Sequence, residues 1–313
     1  MFSIRGFLRR GRMRASGVLG RGERGLSHQE DVVVKLRGGL GNQLFGWACG
    51  YALARRLNVP LQVNDAQISN SSIRLDPRQF ELGYFGIQAN TQSPRRQRDT
   101  ILNIKTMASA SHIFSEASFN FDARVLDLES PVTLDGYFQS KEYFSEYQGE
   151  ILRLLTKNAN RSKRLDRFSH DLAHDWIAVH IRRGDFLQNS HVHTVPGPAY
   201  YRKAADLLRK VTGVHRLVVF SDDIQAAKKM GLDADYYIGA EDLPSPGDSL
   251  ILMSEAAAFV GSNSSFSWWA AFLSPHINRL NVFPRPWFTS GGPSTRDLLE
   301  SSWLTLGAQS SSS

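Results

Sequence analysis

WIAVHIRRGDF, residues 176–186, begins as an apolar run interrupted by His180 alone and passes into two arginines, a glycine and an aspartate before Phe186. Trp176 to Ile181 has no polar alternation, which predicts a strand buried on both faces, as in a parallel sheet. The charged residues then fall at the carboxyl end of that strand, the place where open α/β sheets bind ligands. Downstream the same grammar repeats. The pattern predicts a helix over 198–210, a strand at 216–220, a short helix from Ile224 and a strand near 235–239. A helix at 247–257, a strand at 258–261, a helix at 265–273 and a strand at 279–283 follow. Strands alternating with helices imply right-handed crossovers and a mostly parallel, Rossmann-like sheet covered on both faces.

Upstream, Val32, Val33 and Val34 read as a strand, Gly38, Gly39 and Gly41 as a turn, and 42–57 as a helix with Leu44, Trp47, Ala48, Tyr51, Ala52 and Leu57 on its apolar positions. Pro60 closes it before a strand at Leu61–Val63. Residues 64–140 are cut by Ser, Asn, Arg and Pro clusters and read as an irregular part of the first domain. A helix is expected over 141–155, and the charged stretch 157–171 as a helix end and linker. The chain thus divides into a tail at 1–30, an α/β domain at 31–170, a second at 171–300 and a flexible end at 301–313.

At 313 residues and 42% hydrophobic content, the chain can bury a sizeable core without staples. Its single cysteine, Cys49, excludes an intrachain disulfide and a cysteine-built zinc cage. The net charge of +7 suggests a nucleic-acid partner until it is located. Seven arginines against two glutamates in residues 1–30 account for five of those charges, leaving a nearly neutral body without a nucleic-acid motif. The arginine- and glycine-rich tail is expected to be disordered alone. It reads either as a solvated terminus, as a peripheral contact with anionic membrane or as a targeting peptide. No run approaches the roughly 20 apolar residues of a membrane span, so a cytoplasmic enzyme, peripheral at the inner membrane face, is the expectation.

Four strand ends carry candidate chemistry. Arg182 and Arg183 can grip a diphosphate through their guanidinium forks, or form a surface turn paired with Asp185. Asp222 and Asp223 follow the next strand, where at least one is expected to cap the helix at Ile224. The run Ser262, Asn263, Ser264, Ser265 opens a helix and is either a cap or a cap that also binds an anion. The turn 38–41, with Asn42 and Gln43, allows close approach of backbone to a ligand but has neither the lysine of a P-loop nor the spacing of a dinucleotide fingerprint.

Taken together, GGLGNQLF (38–45), HIRRGDF (180–186), FSDD (220–223) and FVGSNSSFSWWAAFLS (259–274) resemble the inverting α-1,2-fucosyltransferases of glycosyltransferase family 11. The resemblance runs in order from about Val32 to Phe288. It implies a GT-B-like fold of two Rossmann-like domains, the second holding GDP-fucose, with a galactoside as acceptor and no metal cofactor. On this likeness Arg182 grips the β-phosphate with Arg183 in support, and His180, Asp222 and Asp248 lie about the nucleotide. Ser264 and Ser265 donate to the pyrophosphate, and Asn42 reaches the phosphate or the sugar from across the cleft. Phe186 stands where the family more usually has tyrosine, and Ser190–Pro198 is atypical.

Inversion calls for direct attack by the acceptor hydroxyl, helped by a general base. Asp185 and His193 are the candidates; Asp185 can instead orient the arginines, and His193 can be an ordinary loop histidine. Trp268 and Trp269 can serve as sugar-stacking platforms or as core. The rival readings are a transferase of the same fold with another GDP-sugar, a non-catalytic nucleotide-sugar binder, and a nucleic-acid binder acting through the tail.

Overall fold

A computed structural model describes residues 31–69, 78–90, 112–173, 175–183, 194–290 and 292–308. The basic tail, Asp185 and His193 lie outside these residues. The first sheet has the order β2-β1-β4-β3, with β1 at Val32–Lys35, β2 at Leu61–Asn64, β3 at His112–Ser115 and β4 at Val132–Asp135. The second has the order β10-β9-β8-β5-β6-β7. Its strands are β5 Ile177–Ile181, β6 Leu217–Ser221, β7 Tyr236–Ile238, β8 Ala258–Val260, β9 Leu280–Arg285 and β10 Leu304–Gly307. Every strand pair in both sheets is parallel. The architecture is that of two Rossmann-like units facing one another, as in GT-B glycosyltransferases.

The helices are α1 Leu40–Leu57, the short α2 Ala66–Ser69, α3 Gln148–Lys157, α4 Lys163–Leu172, α5 Pro198–Thr212, α6 Ile224–Lys228, α7 Pro246–Glu255 and α8 Ser265–Phe272. Both faces of the second sheet are covered, as its continuous apolar strands require. On one side Tyr200, Tyr201, Ala204 and Leu208 of α5 pack on Val179, Val219 and Val260. On the other, α7 and α8 join α1 and the first sheet in one continuous core. Trp268 and Trp269 are at its centre, both 0% exposed, against Phe45, Phe144 and Phe272. They are core residues, not a sugar platform.

Three expectations change. The helix expected from 141 begins at Gln148, because Phe144 (φ −135°, ψ 16°) interrupts it and residues 141–143 and 145–147 form separate 3-10 turns. The linker of 157–171 contains α4, capped by Ser162, whose hydroxyl accepts from Leu165 N–H at 3.1 Å. Because α4 packs on α7, it belongs in space with the second sheet, and the chain crosses between domains nearer 158–162. Finally, the end expected to be flexible supplies β10, paired along β9 from Leu304↔Val282 to Gly307↔Arg285.

The domains meet tightly. A Cβ on Gly41 would lie 2.5 Å from the backbone nitrogen of Phe266, so α1 and α8 touch main chain to main chain. Tyr84 of the first domain donates to Asp248 Oδ1 at 2.7 Å and lies flat where any side chain on Gly247 would overlap it. Among the described residues no helix is long and apolar enough to cross a membrane.

Candidate functional site

Strand order locates the site before any side chain is considered. The chain leaves β5 towards β6 and β7, then returns to the other flank of β5 as β8. The crevice between the carboxyl ends of β5 and β8 is therefore a topological switch point, where ligands bind in this class of sheet. Arg182 follows β5, and Ser262–Ser265 follows β8. Arg182 and Asn263, Ser264 and Ser265 of that run line one cavity of about 430 Å³ between the domains.

Arg182 Nη1 is 3.0 Å from Asp222 Oδ2, with about a quarter of each side chain exposed. The other oxygen of Asp222 accepts the backbone N–H of Arg183 at 2.9 Å, so the carboxylate fixes the turn and aims the guanidinium. Asp223, beside it, is the cap expected for α6 and accepts from Ala226 N–H at 2.9 Å. The two adjacent aspartates thus divide the work. Arg183 departs from the expectation. It is not among the residues lining the cavity; its charge sits beside Tyr201, and its buried Nε has no hydrogen-bond partner among the described residues.

His180 is buried, with Nδ1 2.6 Å from Ser267 Oγ, and it lines the cavity floor. Burial pulls its pKa down to about 4, helped by Arg182 and opposed by Asp222, so the ring is neutral and serves as a hydrogen-bonding strut. Ser267 also accepts from Ser262 N–H at 3.1 Å, tying β5 to the start of α8.

At that start Ser264 is the N-cap: its Oγ accepts Phe266 N–H at 3.2 Å and keeps a proton to donate. Ser265 also lines the cleft, and its hydroxyl donates across it to Asn42 Oδ1 at 2.6 Å. The same oxygen accepts from Gln139 Nε2 at 2.8 Å. Two donors on Oδ1 orient the amide, whose Nδ2 lies over Gly38. Gly38 has φ +67° and no room for a side chain there, which accounts for that glycine. Gln43, fully buried, does not face the cleft. It clamps the turn to residues 79–81 through Gln79 O (2.8 Å), Gly38 O (3.0 Å) and Glu81 N–H (2.9 Å).

Asp248 needs correction too. It is buried and lines no cavity, accepting instead from Tyr84 Oη and from Ser162 N–H at 3.2 Å. The neighbouring Ser249 lines the cleft, with Phe220, Ile238, Leu243, Pro244, Pro246 and Met253. This apolar pocket at the β6–β7 end was not visible in the sequence. Neither were Arg78, Glu81, Phe119, Tyr137, Trp287 and Phe288, which complete the cavity.

A cleft with an apolar pocket at one end and an arginine beside a hydroxyl-rich helix start is suited to a nucleoside diphosphate. Comparison with known proteins identifies the family. Residues 23–282 match the family model described as glycosyl transferase family 11. An O-antigen biosynthesis glycosyltransferase, WbnK of Escherichia coli, is 28% identical over 300 residues, covering 87% of this chain and 99% of its own. An Escherichia coli alpha-1,2-colitosyltransferase is 26% identical over 295 residues, covering 88% and 98%. Among solved structures, the NodZ alpha-1,6-fucosyltransferase co-crystallised with GDP aligns with a TM-score of 0.44 at 16% identity, covering 79% of this chain and 93% of that one. The family match spans most of both domains and all four strand-end motifs, and the chain belongs to glycosyltransferase family 11.

Proposed function

We propose that this glycosyltransferase moves L-fucose from GDP-β-L-fucose to the 2-hydroxyl of a terminal galactoside, with inversion, in the building of a surface polysaccharide. The observation that carries the reading is the placement of Arg182 and the α8 start together at the β5–β8 switch point, beside the apolar pocket over β6 and β7. Guanine fits that pocket, and the diphosphate the switch point. The acceptor oxygen forms a bond to the anomeric carbon as the bond to the β-phosphate oxygen breaks. The departing electron pair ends on GDP, where Arg182, the Ser264 hydroxyl and the helix dipole offset the charge. The acceptor's proton passes to a base, for which Asp185 and His193 are the candidates.

Incubating the protein with GDP-fucose and a panel of galactosides is the test. The expected product carries one added deoxyhexose, 1,2-linked by mass spectrometry and linkage analysis. GDP binding by calorimetry without transfer to any galactoside would make the chain a non-catalytic binder. Because one relative is named a colitosyltransferase, a second GDP-sugar donor is the competing reading, and competition between donors separates the two.

A further inference from the structure

Asn42 and Gln139 come after β1 and β4, the two strands between which the order of the first sheet reverses. The first domain therefore brings a switch point of its own to the cleft, and it presents amides there. Gln139 lines the cavity yet is only 7% exposed. Its Nε2 donates to Asn42 Oδ1 at 2.8 Å, and its side chain makes no other hydrogen bond among the described residues. Oε1 is thus an acceptor without a partner, and it is not sealed from the cleft as the Asn263 oxygen is. An acceptor so deeply placed costs free energy until a donor reaches it.

The backbone before Gln139 is strained to place it. Glu116 accepts the N–H groups of Tyr137 at 2.7 Å and of Phe138 at 3.0 Å. Phe138, its ring fully buried, is held at φ +51°, a left-handed conformation unfavourable for phenylalanine. Strain of this kind gathers at ligand clamps and active sites.

The hydrogen bonds also decide what Oε1 meets. Ser265 Oγ donates to Asn42 Oδ1 at 2.6 Å and Gln139 Nε2 donates to the same oxygen, which ties the glutamine to the start of α8. Turning the Gln139 amide over would set its oxygen against that of Asn42. With a diphosphate at α8, the group nearest Oε1 is the one bonded to that diphosphate. Because Oε1 can only accept, it calls for a hydroxyl, not a ring oxygen or a methyl.

We propose that Gln139 reads a ring hydroxyl of the transferred sugar and so rejects donors that lack it, an inference that rests on the sugar-transfer reading above. The hydroxyl satisfies the buried oxygen. A deoxy donor leaves it unpaired, and sites built to bond a substrate hydroxyl discriminate strongly against an analogue without one.

The experiment is a cycle between residue and substrate. GDP-fucose and its 2-, 3- and 4-deoxy analogues are compared as donors for the wild type and for Gln139→Met, which keeps the length of the side chain without its amide. The 3-deoxy sugar is colitose, which figures in the name of one relative. In the wild type, loss of one of these hydroxyls should lower kcat/KM about tenfold to a hundredfold. In Gln139→Met the same loss should cost about twofold or less, because nothing remains to read that hydroxyl. Losing the bond to Asn42 slows every donor alike and cancels in the ratio. Equal ratios in wild type and variant for all three analogues overturn the proposal and leave Gln139 as a prop for Asn42. GDP affinity is the control for folding; should Gln139→Met lose it, Gln139→Leu carries the same cycle. A wild type that transfers no sugar defeats the reading of function instead, and the cycle run on the dissociation constants of the four GDP-sugars, by calorimetry, then decides whether Gln139 reads the hydroxyl.

Discussion

Across the cleft the two domains present different chemistry from similar sheets. The second domain offers Arg182, Asp222 and the start of α8, whereas the first, apart from Arg78 and Glu81, offers the amides of Asn42 and Gln139 and the rings of Phe119 and Tyr137. On the proposed reaction, the charge serves the leaving phosphate and the neutral amides serve the uncharged sugar. Both sheets have a switch point, β1–β4 in the first and β5–β8 in the second, so the difference lies in the residues that follow those strands: a glycine turn that lets α1 touch α8 in the one, Arg182 and a serine-rich helix start in the other.

Removing the charge from one wall is the largest change available. Arg182→Ala should lower kcat by about a thousandfold, roughly 4 kcal/mol of lost transition-state stabilisation. The fold should survive, because the side chain is at the cleft surface and Asp222 keeps its bond to the Arg183 N–H. Arg182→Lys should fall between, since it keeps the charge but not the fork. Steady-state kinetics with a thermal melt would check both; wild-type turnover in Arg182→Ala would remove the charged wall from the mechanism.

The second change attacks the fit between the walls. Gly41→Ala places a methyl 2.5 Å from the Ser265–Phe266 backbone, and neither main chain can yield as a flexible side chain would. A cost of about 1–3 kcal/mol in denaturant unfolding is expected. Donor KM should rise as the Asn42–Ser265 bond lengthens. A neutral result would mean that the domains already slide freely here.

The contrast between the walls also explains what the sequence disclosed. In the second domain the strand ends from β5 to β9 were legible, because buried parallel strands are largely apolar runs and each stops at a Gly, Ser, Asp or Arg, whereas β10 was not. The stretch 64–140 was not, since β3 and β4 are four residues each and 3-10 turns have no long period to detect. Side-chain direction was the other gap. Asp248 and Ser249 are adjacent, but the 100° turn of a helix puts one on Tyr84 and the other in the cleft. Aromatic residues gave no clear signal: Trp268 and Trp269 read as either a platform or core and are core, while Phe119 and Tyr137 sat unnoticed in the irregular segment. Arg279 reads as an ordinary strand edge. It is buried, its pKa drawn down to about 9 by that burial, and it satisfies the carbonyls of Met253, Ser254 and Ala270 where α7 and α8 end.

The smallest change divides two roles within one hydroxyl. Ser264 Oγ accepts Phe266 N–H as a cap, while its proton is available to a phosphate oxygen, and an alanine removes both. Ser264→Ala should cost about 1 kcal/mol of stability, whereas Ser264→Gly, a tolerable N-cap, should cost only a few tenths. Donation to the phosphate is equally absent from both. If the hydroxyl serves the leaving group, the two variants therefore differ in denaturation midpoint but share the same fall in kcat, of about fivefold to tenfold for one neutral hydrogen bond. If it serves only the helix, the glycine variant recovers activity along with stability, and the charged wall reduces to Arg182 and the backbone of α8.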